Sequence, residues 1–376
     1  MNRQLRLSCI SDIHLGARKN TADAIIANLN KCFSCDAHFS QLDMVVVVGD
    51  VFDEALTLAS EYVAHIDAWV ARVLRLAYKH QVVVRVLEGT PSHDRGQSER
   101  FTIINALHTE LGHGVDLKHV KVLSIEHFDA WDMDVLYVPD EWNHSCDATL
   151  EEVHALMAAK GLVQVDFAMM HGSMDYQLPA HIKSAPRHDS ASYGALTRSL
   201  VFIGHIHIYS RVRNIIAQGS FDRLAHGEEG AKGFVSAIVQ PSGQHTARFI
   251  ENKGARKYVT VVCTGDAEES LRLLDAQAAK LPSGSCLRVE ASYLDPILSD
   301  LDALRLRWPL LVWSALPKGK EDPAEQAAAC EEYVYVPVSV RRDNITELVL
   351  ARLAKLGLGA ATLALCEDNL KEVERL

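Results

Sequence analysis

Short apolar, β-rich runs alternate with longer segments of helical period through the first part of the chain. Residues 5–10, 44–48 and 82–87 read as strands, and residues 21–39 and 56–80 between them read as helical. That order predicts an α/β arrangement. From residue 120 onward short strands dominate, at 135–138, 165–170, 200–203, 215–217 and 234–239. Two packed sheets with outer helices accommodate the sequence of elements.

The character changes near residues 248–257. Strand-like runs at 258–263, 286–291 and 310–313, with a helical run at 268–280, predict a small α+β domain, so a boundary is expected around residue 250. Residues 321–332 hold Glu321, Asp322, Glu325, Glu331 and Glu332 with no basic residue, and Pro317 and Pro323 flank the start; this predicts a linker or exposed loop. Beyond it, 334–340 alternates like a strand, while 344–356 and 360–376 read as helices with apolar faces. There is no internal repeat or low-complexity tract.

Composition adds exclusions. The 376 residues carry a net charge of −11, which argues against a general polyanion binder, because such affinity rests on lysine and arginine. Residues 181–226 run against that trend, with Lys183, Arg187, Arg198, Arg211, Arg213 and Arg223 against Asp189 and Asp222, so this segment is expected either to face phosphate or to be an ordinary solvated surface. No apolar run approaches the roughly 18 to 20 residues of a membrane span, and the first strand begins too early to leave room for a secretory leader. The expectation is a soluble, cytoplasmic protein with no membrane partner. Of eight cysteines, Cys9, Cys263 and Cys286 sit in apolar runs and read as reduced and structural. Cys32 and Cys35 form a CxxC, but no second pair follows at zinc-site spacing.

Five strand ends carry chemistry. The first runs into Ser11-Asp12-Ile13-His14-Leu15-Gly16, where alternate residues of an extended chain point the same way and Asp12 and His14 can share one ion. The second ends in Gly49-Asp50-Val51-Phe52-Asp53, bringing another carboxylate to the same sheet edge. The third runs into Glu88-Gly89-Thr90-Pro91-Ser92-His93-Asp94. Residues 165–170 lead to His171-Gly172, and 200–203 lead to Gly204-His205-Ile206-His207. Any one pair arises by chance; the ordered set points to a metal centre. Nitrogen and oxygen donors without thiolate suit manganese, iron or magnesium.

Over residues 5–240 these loops resemble the calcineurin-like metallophosphoesterases, whose loops read DxH, GDxxD or GDxxH, GNHD, HG and GHxH in that order. The resemblance implies a four-layer fold, two packed mixed β-sheets flanked by helices, and two divalent ions, manganese by preference. One ion would take Asp12, His14 and His207, the other His171 and His205, with Asp50 bridging and Asp53 supporting from behind. His93, oriented by Asp94, takes the place of the family's catalytic histidine, a general acid. Two ions roughly 3.5 to 4 Å apart would clamp the phosphate and generate the attacking hydroxide. One position departs from the pattern: the asparagine of GNHD is absent, two residues are added, and Ser92 stands before the histidine as the candidate replacement ligand, with a backbone carbonyl as the alternative.

After the GHxH strand, residues 218–234 are similar to the SbcD-type nuclease pattern GSxxRLxxGEExxKGF. That likeness implies a manganese-dependent DNA nuclease, both endonuclease and 3′–5′ exonuclease, acting in repair or recombination. It also implies a layout: a catalytic domain over 1–250, a capping α+β domain over 251–320 that contacts DNA, and a linker with C-terminal helices over 321–376 that bind an SbcC-like coiled-coil ATPase. Gly357-Leu358-Gly359 lacks the GK[ST] of a P-loop, so ATP hydrolysis falls to that partner. A homodimer is implied, with 56–80 as the candidate surface. Two alternatives stay open, a phosphatase or small-substrate phosphodiesterase of the same superfamily, and a catalytically weak DNA-binding scaffold.

Overall fold

The computed structural model describes residues 3–17, 20–57, 62–178, 186–293 and 295–318. These belong to one compact unit that ends at Glu321. The elements expected at 334–340, 344–356 and 360–376 lie outside the described residues.

Strands β1 (Leu5–Ile10), β2 (Met44–Val48), β3 (Val83–Leu87) and β4 (Leu117–Val120) pair in parallel and in chain order. The chain then builds a second sheet from β5 (Ser124–Phe128), β6 (Met133–Val138), β7 (Val165–His171), β8 (Thr197–Gly204), β9 (Ser210–Val212) and β10 (Ile215–Ala217), in the order β5-β6-β7-β8-β10-β9. It returns to the first sheet with β11 (Gly233–Val239) and β12 (His245–Glu251), antiparallel on the outer side of β1. Two six-stranded mixed sheets result, flanked by helices, as expected for a metallophosphoesterase-like fold.

Period-two alternation sorts the β2 side chains between two cores. Val45 and Val47 face helices Ala22–Cys32 and Tyr62–His80, and Met44, Val46 and Val48 face the second sheet. Each fully buried residue of this kind contributes about 1.5–3 kcal/mol. Helix Tyr62–His80 presents Ile66, Trp69, Val70, Val73, Leu74 and Ala77, spaced at alternating three and one, to the first of these cores. A third core lies on the far side of the second sheet, beneath helix Cys146–Ala159.

Two expectations change. The helix expected over 21–39 divides into Ala22–Cys32 and Asp36–Phe39, because the intervening turn is pinned: Trp69 Nε1 donates to Ser34 Oγ at 3.1 Å and Arg72 Nε donates to the Ser34 carbonyl at 2.9 Å. The CxxC therefore spans a helix end, and burial pushes the Cys32 thiol up to about 11, far from a reactive thiolate. All described cysteines are free.

The small unit after residue 251 is βαβαβ in character. Strands β13 (Tyr258–Val262), β14 (Cys286–Ser292) and β15 (Val312–Lys318) are all parallel and are joined through helices Ala267–Ala278 and Leu301–Arg307. Parallel pairing requires such crossovers, and short apolar runs carry no mark of it. Leu274, Leu287, Val289, Ile297, Leu304 and Trp313 give this unit its own core.

Candidate metal centre

The centre forms where strands of both sheets end. Past β1 and β2 the ladder continues irregularly: Asp12 N donates to the Gly49 carbonyl at 3.1 Å, and Ile13 N and His14 N donate to the Asp50 carbonyl at 2.8 and 3.1 Å. This turns Asp12, His14 and Asp50 into the left-handed region, with φ of 49°, 52° and 50°, and His205 follows at 98°. Four of the nine described non-glycine residues with positive φ are thus prospective ligands. Strain of this kind persists where surrounding structure imposes it, and it concentrates at functional sites. Two glycines are required by close approach. A Cβ on Gly49 would lie 2.1 Å from His171 Nδ1, and one on Gly89 would lie 2.1 Å from Asp50 N.

Asp12, His14 and His207 have donor atoms within 4.8 Å of one another, as do Asp50, His171 and His205; Asp50 also joins a set with His14 and His93. The imidazoles are held in fixed tautomers. His171 Nδ1–H donates to the Val48 carbonyl at 2.8 Å, leaving the fully buried Nε2 facing Asp50 Oδ1 at 3.3 Å, out of hydrogen-bond alignment. His207 Nδ1–H donates to Glu228 Oε1 at 2.9 Å, and its Nε2 meets His14 Nε2 at 3.0 Å. Asp53 Oδ1 stands 3.0 Å from His14 Nδ1, behind the ring. Two imidazole lone pairs aimed at each other repel unless a proton or a cation lies between them.

Charge says the same. Burial alone would raise the Asp50 carboxyl, but the imidazoles of His171, His93 and His14 hold it well below the usual carboxylate range. Burial would likewise strip the His171 proton, yet Asp50, Asp12 and Asp140 raise that imidazole well above its ordinary value. The pocket demands positive charge, and a divalent cation meets the demand with a donor set of nitrogen and oxygen. The orphaned Nε2 of His171 and the facing Nε2 pair fit such ions.

Two sequence assignments need correction. Asp94 does not orient His93. It is fully buried, and its carboxylate accepts from Gly89 N at 2.8 Å and from Asp50 N and Phe52 N at 3.1 Å each, so it ties the β2 and β3 loops together. Burial and the Asp50 charge push it up to about 6. Asp50 Oδ2, 2.8 Å from His93 Nδ1, orients the histidine instead. Ser92 is exposed on the short helix Pro91–Asp94, its carbonyl accepting from Arg95 Nε. Thr90 takes the inner position, its Oγ1 lying 3.3 Å from Asp50 Oδ2 and 3.2 Å from His205 Nδ1.

The segment 218–234 is a brace for His207. Lys232, almost fully buried, bonds the His207 carbonyl at 2.8 Å, Ser220 Oγ at 2.7 Å and Glu228 at 2.9 Å. Arg223 donates to the carbonyls of Ala255, Arg256, Glu229 and Gly230, tying the same loop to the start of the third sheet. The basic residues of 181–226 therefore do not act as one phosphate-facing set. Arg223 is buried in structure, Arg198 pairs with Asp166 at 3.1 Å near the opposite end of β8, and Lys183 lies outside the described residues.

No protein-family model matches the chain, and no curated protein does. Among solved structures, the chain is similar to TT1561 of Thermus thermophilus, at 12% identity and a TM-score of 0.38, covering 66% of this chain and 99% of that one. A second structure reaches 11% identity and a TM-score of 0.35 over 66% of this chain and 99% of its own. Likeness at this level does not bear on function.

Proposed function

We propose that the protein is a two-metal phosphoesterase acting on DNA, a manganese-dependent nuclease of the SbcD type with endonuclease and 3′–5′ exonuclease activity in repair or recombination. The observation that carries the metal-dependent part is the place of Asp50, whose carboxylate serves both the His14 side and the His171–His205 side of one donor cluster. Asp12, His14 and His207 would hold one ion, His171 and His205 the other, and Asp50 would bridge. Two such ions would supply charge neutralisation for a phosphate diester and would acidify a bound water.

His93 supplies what the ions do not. Its ring is partly exposed, its Nδ1 is engaged by Asp50, and that hydrogen bond raises its pKa despite partial burial. With Nδ1 held in this way, the free Nε2 is the atom that would carry a proton to a leaving oxygen, the work of a general acid. Asp94 and Gly89 hold the loop that sets this geometry.

DNA as the substrate is supported by the likeness of 218–234 and by the added three-stranded unit that this segment anchors through Arg223. A coiled-coil ATPase partner docking on residues 344–376, and a homodimer, complete the proposal. The test is cleavage of end-labelled linear duplex DNA with manganese, comparing the unaltered chain with His93→Ala and Asp50→Ala. His93→Ala should cut about 10²–10⁴-fold more slowly while keeping its metal. Asp50→Ala should lose both metal and cleavage. Turnover of small phosphoesters with intact DNA left uncut would overturn the substrate assignment.

A further inference from the structure

The asparagine missing from the third loop leaves one half of the centre short of a donor, and a sixth strand end lies beside it. β6 is parallel to β7, with Val138 opposite Met170, so the chain past β6 delivers Asp140 next to Gly172, the residue after His171. A Cβ on Gly172 would approach Asp140 Oδ1 to 3.2 Å. Asp140 Oδ2 lies 3.0 Å from Thr90 Oγ1 and 3.6 Å from His205 Nδ1, while Oδ1 accepts from Glu141 N at 3.0 Å. Adjacent parallel strands β6, β7 and β8 thus each send one donor from the same end, Asp140, His171 and His205.

We infer that Asp140 is a ligand of the second divalent ion, with Thr90 Oγ1 beside it, so that a carboxylate and a hydroxyl stand where the family places a neutral amide. The inference rests on the two-ion reading above.

Three observations carry it. The Thr90 hydroxyl has one proton, yet Asp140 Oδ2 at 3.0 Å and His205 Nδ1 at 3.2 Å both lie beside it, while Asp50 Oδ2, at 3.3 Å, is already engaged by His93. One proton cannot serve both the Asp140 carboxylate and an unprotonated His205 Nδ1; a cation among them can. The fully buried Nε2 of His171 points into the same pocket with no hydrogen-bond partner among the described residues. And the Asp140 side chain, only 11% exposed, has no lysine or arginine among its described ion-pair partners; its pairing is with His205. An added carboxylate suits a hard divalent cation held by oxygen donors and raises the affinity of this half of the centre.

The experiment is manganese titration of the metal-free full-length protein, read by calorimetric stoichiometry and by the exchange-coupled two-manganese signal in electron paramagnetic resonance. The unaltered chain should bind two ions and give the coupled signal. Asp140→Ala should bind one ion tightly and lose the coupling. Asp140→Asn preserves shape and the hydrogen bond to Thr90 but not the charge, and should weaken the second ion by at least about tenfold. Thr90→Val, which keeps the backbone bond to Asp50, should weaken it as well. Melting curves on each variant exclude loss of fold as the cause. Two coupled ions with unchanged affinity in Asp140→Ala and Asp140→Asn would overturn the assignment of Asp140 while leaving the two-ion centre standing. Failure of the unaltered chain to bind a second ion would overturn both.

Discussion

Glu228 is the point at which stability and metal binding meet. Its Oε1 accepts the His207 Nδ1 proton at 2.9 Å, and its Oε2 accepts from Leu224 N at 3.2 Å and pairs with Lys232 at 2.9 Å. Glu228→Gln keeps the shape and removes the charge, leaving the ammonium of Lys232, with only 2% of its side chain exposed, without its nearest counter-charge. Removing one partner of a buried pair costs about 3–5 kcal/mol. The lysine itself sets a ceiling: shedding its proton at pH 7 from an ordinary value near 10.4 takes roughly 5 kcal/mol at 1.36 per unit. The His207 carbonyl and Ser220 hydroxyl still accept from Nζ. The expected loss therefore lies at the lower end, about 3 kcal/mol. Urea unfolding of the metal-free chain at pH 7 measures it as a lower midpoint at unchanged slope. Adding Lys232→Met should restore most of the loss, because the stranded charge is gone. Affinity for the first manganese should fall about 10–100-fold in the single variant, since the His207 ring loses a charged anchor. A stability loss under about 1 kcal/mol, or a double variant no better than the single one, would refute the argument.

Other outcomes follow from the same geometry. Ser92→Ala should leave manganese stoichiometry and affinity unchanged, since the serine is exposed; a lost second ion in calorimetry would return it to the ligand set. Gly49→Ala forces a Cβ onto His171 at a left-handed backbone position, so unfolding free energy should drop by more than the about 1–2 kcal/mol of the backbone term alone. A drop within that term would mean that both His171 and the Gly89 backbone, which the same Cβ would meet at 2.7 Å, move aside freely. Asp43, whose carboxylate accepts from Arg6 N, Nε and Nη2 at 2.9 Å each, gives a pH dependence. Burial pushes this carboxyl up, but the hydrogen bonds and charge of Arg6 and Arg3 outweigh it and hold it below its ordinary value. A depressed carboxyl adds stability that is complete above the unfolded pKa, about 3.9, and disappears as pH falls through the folded one. Asp43→Asn should accordingly lose about 1–3 kcal/mol at pH 7 and progressively less below pH 4; an equal loss at both pH values in urea unfolding would contradict the ion-pair account.

What the sequence made legible, and what it hid, follows from how each residue is held. β1, β2 and β10 fall on the expected residues, because runs such as Met44–Val48 are apolar throughout and flanked by turn residues. The histidines and the aspartates at 12 and 50 were legible because each lies at the end of such a run or in the loop just after it. Asp140 follows one too, but after a proline and without a histidine or glycine beside it, where an aspartate in a turn is ordinarily a solvated residue. Only the parallel pairing of β6 with β7 turns it inward, and register is not written in one strand. The third loop misleads for a different reason. Aligned on the histidine, Ser92 takes the asparagine's place, but Pro91 opens a helical turn there with Thr90 as its N-cap. Residues three apart share a face of such a turn, so Thr90 and His93 look into the centre together and Ser92 looks out. Spacing counted along the chain equals spacing across the site only while the chain stays extended. Two added residues that coil into a turn carry the ligand position back to the residue before the proline.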